Sequence, residues 1–415
     1  MIRLKLILLA LITLFTIQAY SQSNSEITTD DLRYHIGLLA SDSLAGRYPG
    51  TPGGKQAENY IAGKFSEAGL KMLYSNGRQE FKVVTDVRPG KNNKLQFDDY
   101  TAVMGKDFTP LSFSTTGTLK APVVFAGYGF DINLDSLRWN DYAGIDVNGK
   151  WVMVLRGDPE PDNSQSLFID FESERVKALT AKDKGARGVI FVTPEDLEKQ
   201  DILMHVQYDR TPANAGIMVL NITRGMADHM LASMNDSIGS VVDRIKSNHK
   251  PSPMYMPVIL DAATEIEMLE ATTANIAGMI PGIDPLMAEE YIVIGAHHDH
   301  LGMGGPGSGS RQPDTIAVHN GADDNASGTA GIIELAQKLS ANRQLLKRPV
   351  IVVAFAGEEM GLLGSKEFVK NPPVPLNRIK AMINLDMIGR FNTETNTISI
   401  GGTGTSVETD TIISL

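Results

Sequence analysis

The sequence of 415 residues contains no cysteine. Disulfide bonds and thiolate metal sites are therefore excluded, and any bound metal must be held by histidine, aspartate or glutamate. A lipid anchor attached through cysteine is excluded for the same reason. The sequence also has no run of lysine and arginine, and its net charge is −11. A basic patch is typical of proteins that bind nucleic acid, so we expect no nucleic-acid partner.

Long hydrophobic runs are scarce as well. The longest is Leu6 to Ile17, which is shorter than the ~20 apolar residues that a transmembrane helix needs. Arg3 and Lys5 precede it, and residues 19–21 place small side chains where a signal peptidase reads them. We predict a signal peptide over residues 1–21, export to the periplasm or the extracellular space, and no stable membrane anchor after cleavage.

The composition is that of a globular protein, with 42% apolar and 21% charged residues. The chain is longer than one core usually holds, so we expect two domains. Short β-branched runs bounded by glycine and proline surround one amphipathic helix at 173–186. They lie at 121–129, 149–157, 185–193 and 216–223. We predict a small β-rich domain over 118–252, inserted into a second domain made of 22–117 and 253–415.

The second domain shows an alternation of strands and helices. Continuous apolar runs at 291–296, 348–356 and 379–385 are typical of strands buried on both faces. Helical spacing at 327–344 and 361–371 separates them. This order predicts a mostly parallel, doubly wound α/β sheet with helices on both faces.

Each of these three predicted strands ends in a potential metal ligand. The first runs into His297, the second into Glu358 and Glu359, and the third into Asp386. The loop "GADDNASG" adds Asp324 before the first helix, where a capping role is the alternative. Because ligands of open α/β sheets bind outside the carboxyl ends of the strands, we expect these side chains to form one metal site.

Roles follow from the chemistry of such a site. Zinc accepts imidazole and carboxylate ligands, and a carboxylate such as Asp324 can bridge two ions. Of two adjacent glutamates, one can bind metal while the other faces the water as a general base. Asp299 is placed to accept the second imidazole N–H of His297. Neighbouring residues of an extended stretch point to opposite sides, so His298 and His300 are expected to be bystanders.

Four ordered motifs resemble those of the co-catalytic zinc aminopeptidases, the group of aminopeptidase S and bacterial leucyl aminopeptidases in the glutamate carboxypeptidase superfamily. The motifs are "GAHHDHLG", "NGADDNASG", "AFAGEEMGLLGS" and "NLDMIGR". Residues 118–252 are similar to the protease-associated domain that many of these enzymes carry. The resemblance covers nearly all of the chain after the predicted signal peptide.

The resemblance implies two zinc ions, a peptide substrate, and a cis peptide bond after the shared aspartate. It also implies roles for six side chains, namely the first-metal ligands His297 and Asp386, the shared ligand Asp324, the second-metal ligand Glu359, the general base Glu358 and the orienting Asp299. The family supplies one more histidine to the second metal, downstream of Asp386. No histidine follows His319 here, and we interpret the chain as a fragment of a longer protein. A naturally shortened chain with an impaired site is the alternative, and substitution by His298, His300 or His319 is not expected.

These patterns predict an exported, zinc-dependent aminopeptidase. A carboxypeptidase or dipeptidase of the same superfamily, a non-catalytic peptide-binding homologue and a single-zinc glutaminyl cyclase are the alternatives. Cobalt or manganese could use the same ligands. The sequence indicates neither the preferred side chain nor the oligomeric state.

Overall fold

Two structural units divide the chain. The computed structural model describes residues 26–208, 213–305, 308–312 and 315–391, together with 393–395, 397, 399–402, 404–405 and 411. One unit consists of the described parts of Met1–Val83 and Ala271–Leu415, and the other is Val84–Glu270. The predicted signal peptide, residues 1–21, lies outside the described residues. Among the residues that are described, no helix has the length and apolar character needed to cross a membrane.

The elements are numbered here in chain order. The helices are α1 Thr29–Leu39, α2 Pro52–Glu67, α3 Glu174–Asp183, α4 Arg224–Leu231, α5 Ile238–Asn248, α6 Gly328–Ala341 and α7 Leu363–Lys370. The strands are β1 Lys71–Met72, β2 Arg78–Pro89, β3 Lys94–Phe97, β4 Tyr100–Thr101, β5 Phe108–Pro110, β6 Gly117–Phe125, β7 Asp131–Asn133, β8 Arg138–Asn140, β9 Trp151–Leu155, β10 Gly188–Val192, β11 Met218–Ile222, β12 Met254–Thr264, β13 Ile266–Ile280, β14 Tyr291–His297, β15 Val350–Phe355 and β16 Ile379–Asn384.

The unit boundaries differ from those expected from the sequence. They fall at 83/84 and 270/271, whereas the sequence patterns place them at 117/118 and 252/253. The long strands β2 and β13 run through both observed boundaries. The sequence does not reveal these boundaries, because the side-chain pattern of a strand is the same on both sides of each boundary.

The sheet of the first unit is mixed. Its order is β1-β13-β15-β14-β16, and β2 also pairs with β13. Strand β14 pairs in parallel with β15 and β16, whereas β13 pairs antiparallel with β1 and β15. The sequence patterns predict a mostly parallel sheet because the only strands they reveal here are β14, β15 and β16. The long strand β13 adds the antiparallel part.

Strand β15 shows why both faces of this sheet are covered. Val352 packs on one face in a cluster with Phe65 of α2 and Ile332 of α6. Val353 packs on the other face in a cluster with Phe368 of α7. Alternate side chains of a strand point to opposite faces, so a strand whose residues are all apolar needs helices on both sides. The helices predicted over 327–344 and 361–371 correspond to α6 and α7.

Strand β16 is the exception to this burial. The sequence patterns predict a buried strand at 379–385, but Met382 is 50% exposed and Ile383 is 54% exposed. The strand is at the edge of the sheet, and β14 is its partner among the described strands. An apolar run alone does not distinguish a central strand from an edge strand.

The second unit contains an eight-stranded sheet in the order β4-β3-β12-β6-β9-β10-β11-β5 and a separate β7-β8 pair. Residues Trp151 and Met153 of β9 pack in one cluster with residues of α4 and α5. Val152 and Val154 pack in another cluster with Ala178 of α3. This unit is therefore α/β, with helices on both faces of its sheet, rather than mainly β as the sequence patterns suggest.

Candidate metal centre

Four segments of the first unit bring acidic and imidazole side chains together. Strand β14 ends at His297, and Glu358 follows β15 by three residues. Asp386 follows β16, and Asp324 precedes α6. Strands β14, β15 and β16 are parallel, so their carboxyl ends lie at the same edge of the sheet.

The His297 imidazole is the centre of the first group. Its Nε2 is 3.1 Å from Asp324 Oδ1, 3.5 Å from Asp386 Oδ1 and 3.9 Å from Glu358 Oε2. His297 is buried, whereas the side chains of Asp324 and Asp386 are 39% and 44% exposed. The group therefore has a buried wall on the strand side and an open side that faces solvent.

Hydrogen bonds fix the His297 ring with Nε2 directed toward these acids. The Nδ1–H donates to the backbone carbonyl of Asp299, with an N···O distance of 3.2 Å. The carbonyl of His297 itself accepts from Thr329 Oγ1 at 2.7 Å. With Nδ1–H bound to this carbonyl, Nε2 is the ring nitrogen directed at the acids, and it could bind a metal ion once its own proton is lost.

Asp299 has a different place from the expected one. Its carboxylate Oδ1 is 3.8 Å from His297 Nδ1, which is beyond hydrogen-bond distance. The two carboxylate oxygens instead accept the backbone N–H groups of Glu358, at 3.1 Å, and of Glu359, at 3.4 Å. Asp299 therefore orients His297 through its backbone carbonyl and holds the two glutamates through its side chain. The spacing of the motif could not show whether the backbone carbonyl or the carboxylate of Asp299 contacts His297, because both groups belong to the same residue.

His300 belongs to a second group, contrary to the expectation that it is a bystander. Its Nδ1 is 2.5 Å from Glu359 Oε1. Ligand atoms of His300, Asp324 and Glu359 all lie within 4.8 Å of one another, and so do those of His297, Asp324 and Asp386. Asp324 is common to both groups.

His298 turns away from these groups, as its alternate position on the strand predicts. Its Nε2 lies 3.2 Å from the carbonyl oxygen of Ala274 on β13. The side chain is buried, and burial lowers its pKa. Its partner is therefore the backbone of β13 rather than a candidate ligand.

The peptide bond between Asp324 and Asn325 is cis, as the family resemblance implies. The buried Asn325 carboxamide links this segment to the end of β16. Its Nδ2 donates to Leu385 O at 2.9 Å, and its Oδ1 accepts from the backbone N–H groups of Gly328 and Met387. Asn325 therefore binds Leu385 and Met387, the residues on either side of Asp386. The sequence motif contains Asn325, but its spacing does not reveal this function.

Arg47 is a further residue that the motifs do not reveal. Only 1% of it is exposed. Its guanidinium donates to the backbone carbonyls of Leu39, His298, Asn320 and Gly321, at 2.5 to 2.9 Å. Arg47 thereby joins its own Gly-Pro-rich loop to two of the segments that carry candidate ligands. A single arginine in such a loop gives no pattern by which this role could be predicted.

The charges of the site influence one another strongly. Burial opposes the protonated form of His297, but the hydrogen bond to Asp324 and the charges of Asp299, Glu358 and Asp386 outweigh burial and raise its pKa to about 9. The same hydrogen bond with His297 lowers the pKa of Asp324. Burial raises the pKa of Glu358. The cluster thus concentrates negative charge that a bound cation would compensate.

The geometry fits zinc. Zinc bonds of 2.0–2.2 Å in a tetrahedral site separate the ligand atoms by about 3.3–3.6 Å. The 3.1 and 3.5 Å spacings from His297 Nε2 to Asp324 and Asp386 are close to this value. Nitrogen and carboxylate oxygen are also the ligands that zinc accepts in proteins without thiolates.

Similar proteins include solved aminopeptidases. An aminopeptidase from Aneurinibacillus sp. strain AM-1 is 21% identical, with 87% of this chain and 71% of that chain covered and a TM-score of 0.46. A zinc aminopeptidase from Bacillus subtilis is 20% identical, with 88% and 70% covered and a TM-score of 0.45.

Two curated relatives each match a part of the chain. A probable leucine aminopeptidase of Arthroderma otae is 36% identical over 128 residues, which are 28% of this chain and 30% of that protein. Leucine aminopeptidase 1 of Trichophyton rubrum is 35% identical over 119 residues, which are 28% of this chain and 29% of that protein. The chain thus spans less than a third of the length of each relative. The sequence profile described as "Peptidase family M28" matches residues 275–413, which include all of the candidate ligands. Residues 275–413 of the chain are therefore similar to peptidase family M28.

Proposed function

We propose that this protein is a zinc-dependent aminopeptidase that hydrolyses the N-terminal peptide bond of its substrate. The observation that carries the proposal is the position of Glu358. Its Oε2 is 3.9 Å from His297 Nε2, yet Glu358 belongs to neither group of candidate ligands. A carboxylate beside a metal site that does not itself bind the metal is suited to general-base catalysis.

The two groups of ligands would each hold one zinc ion. The first consists of His297, Asp324 and Asp386, and the second contains Asp324 and Glu359. When bound, two zinc ions supply Lewis acidity that polarises the peptide carbonyl and makes a water molecule more acidic.

The residues of the chain perform the proton transfer. Glu358 accepts a proton from the attacking water at its carboxylate and delivers that proton to the amine that leaves. Asp299 keeps Glu358 in place, because its carboxylate accepts the Glu358 backbone N–H. About a third of the Glu358 side chain is exposed, so water and substrate can reach it.

Replacement of Glu358 by glutamine tests this role. The variant is expected to bind zinc as the wild type does and to hydrolyse leucine p-nitroanilide about 10²–10⁴-fold more slowly, since glutamine cannot accept the proton. Steady-state kinetics and the zinc content of the dialysed protein are the measurements. Glu80→Gln changes an exposed glutamate of β2 in the same way and should leave both values unchanged. Full turnover by the Glu358 variant would refute the assignment, and release of residues from the carboxyl end only would indicate a carboxypeptidase.

Replacement of Asp299 by asparagine tests the support of the glutamates. Asparagine keeps one acceptor oxygen but places an N–H group opposite one of the two backbone N–H groups that Asp299 binds. We expect a 10- to 100-fold loss of zinc affinity, measured by competition with a coloured chelator. Asp284→Asn, at a residue outside both ligand groups, is the control, and unchanged affinity in the Asp299 variant would contradict the proposed support.

We further propose that Val84–Glu270 is a protease-associated domain and that residues 1–21 direct export. The resemblance of the middle of the chain to the domain that many co-catalytic zinc aminopeptidases carry supports the first proposal. Arg3 and Lys5 before the apolar run Leu6 to Ile17 support the second. Strands β3 to β12 lie between β2 and β13 along the chain, which agrees with a domain inserted there.

A further inference from the structure

The unit Val84–Glu270 contains a cavity that the proposed function does not use. Strand β10 pairs in parallel with β9 and with β11, so the carboxyl ends of three strands lie at one edge of the sheet. Ligands of α/β sheets bind at such an edge. Arg156 follows β9, Thr193 follows β10, and both line a cavity of about 430 Å³. Small-molecule sites have volumes of roughly 300–1,000 Å³, so the cavity has the size of a ligand site.

The loop 194–207 supplies the other lining residues, and the fold holds this loop in place. Asn221 of β11 is fully buried, and its Oδ1 accepts the backbone N–H of Met204 at 2.8 Å. The Arg224 guanidinium donates to three backbone carbonyls of residues 193–199, at 2.8 to 3.1 Å. The cavity is therefore bounded by backbone that has fixed hydrogen-bond partners.

Two of the lining residues have hydrogen-bond donors to offer. Arg156 uses Nε for Glu174 Oε1, at 2.6 Å, and Nη1 for Thr193 Oγ1, at 3.3 Å. A guanidinium has five N–H groups, so donors remain for a ligand. The Nε2 of Gln207 is buried and has no hydrogen-bond partner among the residues that the structure describes. A buried donor is costly to leave unpaired, and a carboxylate is the strongest acceptor for a guanidinium.

The rest of the lining is apolar, with one acidic side chain. Leu197 is 42% exposed and Ile202 is 50% exposed, and both line the cavity. An apolar group of a ligand would remove these side chains from water. Glu198 lines the same cavity, and its Oε1 accepts the backbone N–H of Gln200 at 3.0 Å. Its negative charge opposes an anionic ligand unless that ligand also carries a positive group.

We propose that this cavity binds a free amino acid with an apolar side chain. Arg156 and Gln207 bind its carboxylate. Glu198 pairs with its ammonium group, and its side chain covers Leu197 and Ile202. The carboxyl end of a peptide has the same carboxylate and side chain but no ammonium group, and it is the alternative ligand. The cavity and the candidate metal centre belong to different units, so this inference does not rest on the proposed function.

Calorimetric titration of the full chain tests the proposal with leucine and three related compounds. Leucinamide lacks the carboxylate, N-acetyl-leucine lacks the ammonium group, and glycine lacks the apolar side chain. With a chelator present, we expect leucine to bind and each of the other three to bind about 10-fold more weakly or worse. The leucine titration is repeated with zinc in place of the chelator. Leucine binding that requires zinc would belong to the candidate metal centre and would overturn the proposal.

Variants show whether the ligand occupies this cavity. Arg156→Met should lower the affinity for leucine by about 10-fold or more. Arg138→Met, at an exposed arginine of β8 outside the cavity, is the control and should bind leucine as the wild type does. Glu198→Gln should weaken leucine binding but not N-acetyl-leucine binding, because only leucine has an ammonium group. Circular dichroism checks that each variant is folded.

Three results would overturn the proposal. Unchanged leucine affinity in Arg156→Met and in Glu198→Gln would place the ligand elsewhere. Equal affinities for leucinamide and leucine would refute recognition of the carboxylate. Equal affinities for N-acetyl-leucine and leucine would refute the free amino acid and identify the carboxyl end of a peptide as the ligand.

Discussion

Asp324→Asn is expected to remove both of the proposed zinc ions at once and to lower the proposed peptide hydrolysis by about 10⁴-fold or more. Asp324 is the one residue that belongs to both groups of candidate ligands. Asparagine keeps the shape of the side chain but loses the negative charge and one of the two oxygens that can bind metal. Carbonyl polarisation and water activation, each worth several kcal/mol, are then lost together.

The measurements are zinc content after dialysis and the rate of leucine p-nitroanilide hydrolysis. Asp323→Asn is the control, because Asp323 is the adjacent residue and lies outside both ligand groups. Its Oδ1 accepts the backbone N–H of Gly389 at 2.9 Å, and an asparagine oxygen can accept this bond as well. The control should keep two ions. If Asp324→Asn lost only one ion, Asp324 would not be shared and the two-metal proposal would have to be withdrawn.

Arg47→Met is expected to lower the free energy of unfolding by about 3 kcal/mol or more, the second large effect. Methionine preserves much of the apolar stem but donates no hydrogen bond. Four backbone carbonyls then lose a charged donor, inside a region where water cannot replace it. Burial lowers the pKa of Arg47 to about 10, so the guanidinium has a desolvation cost of its own that reduces the net loss.

A urea titration with a chelator present, followed by circular dichroism, measures this loss without a contribution from metal binding. Tryptophan fluorescence gives a second signal from the other unit, since Trp139 and Trp151 both lie in Val84–Glu270. Arg33→Met, on an exposed part of α1 where Arg33 pairs with Asp30, should change stability by less than about 0.5 kcal/mol. Equal stabilities of the two variants would show that the Arg47 hydrogen bonds contribute little.

The sequence patterns predicted the candidate site better than the fold around it. His297 and Asp386 each follow a continuous apolar run, and Asp324 precedes a segment with helical spacing, so their positions at one sheet edge could be inferred. The role of Arg47 could not be inferred from the sequence. Its four partners are backbone carbonyls, which every residue type has, so no residue pattern marks them. His300 was excluded by the alternation of an extended strand, but β14 ends at His297, so alternation no longer applies three residues later.

For the fold as well, some elements could be predicted from the sequence and others could not. Helices α6 and α7 have apolar residues at helical spacing, and strands β14 and β15 are continuous apolar runs. The predicted segments overlap the observed ones. The antiparallel strand β13 was missed because its exposed half contains charged residues and its buried half does not alternate. Tertiary packing, rather than local preference, determines such a strand.

The exposed position of β16 makes the two proposed ions kinetically unequal. Asp386 follows this edge strand, whose residues Lys380 to Asn384 are exposed, whereas Asp324 and Glu359 follow or precede elements with buried residues. Edge elements with few buried contacts open locally at a lower free energy than the rest of a domain. Each opening of β16 would take one ligand away from the first ion and none from the second. The ion proposed at His297 is therefore expected to exchange with free metal faster, although the His297 side chain itself is buried.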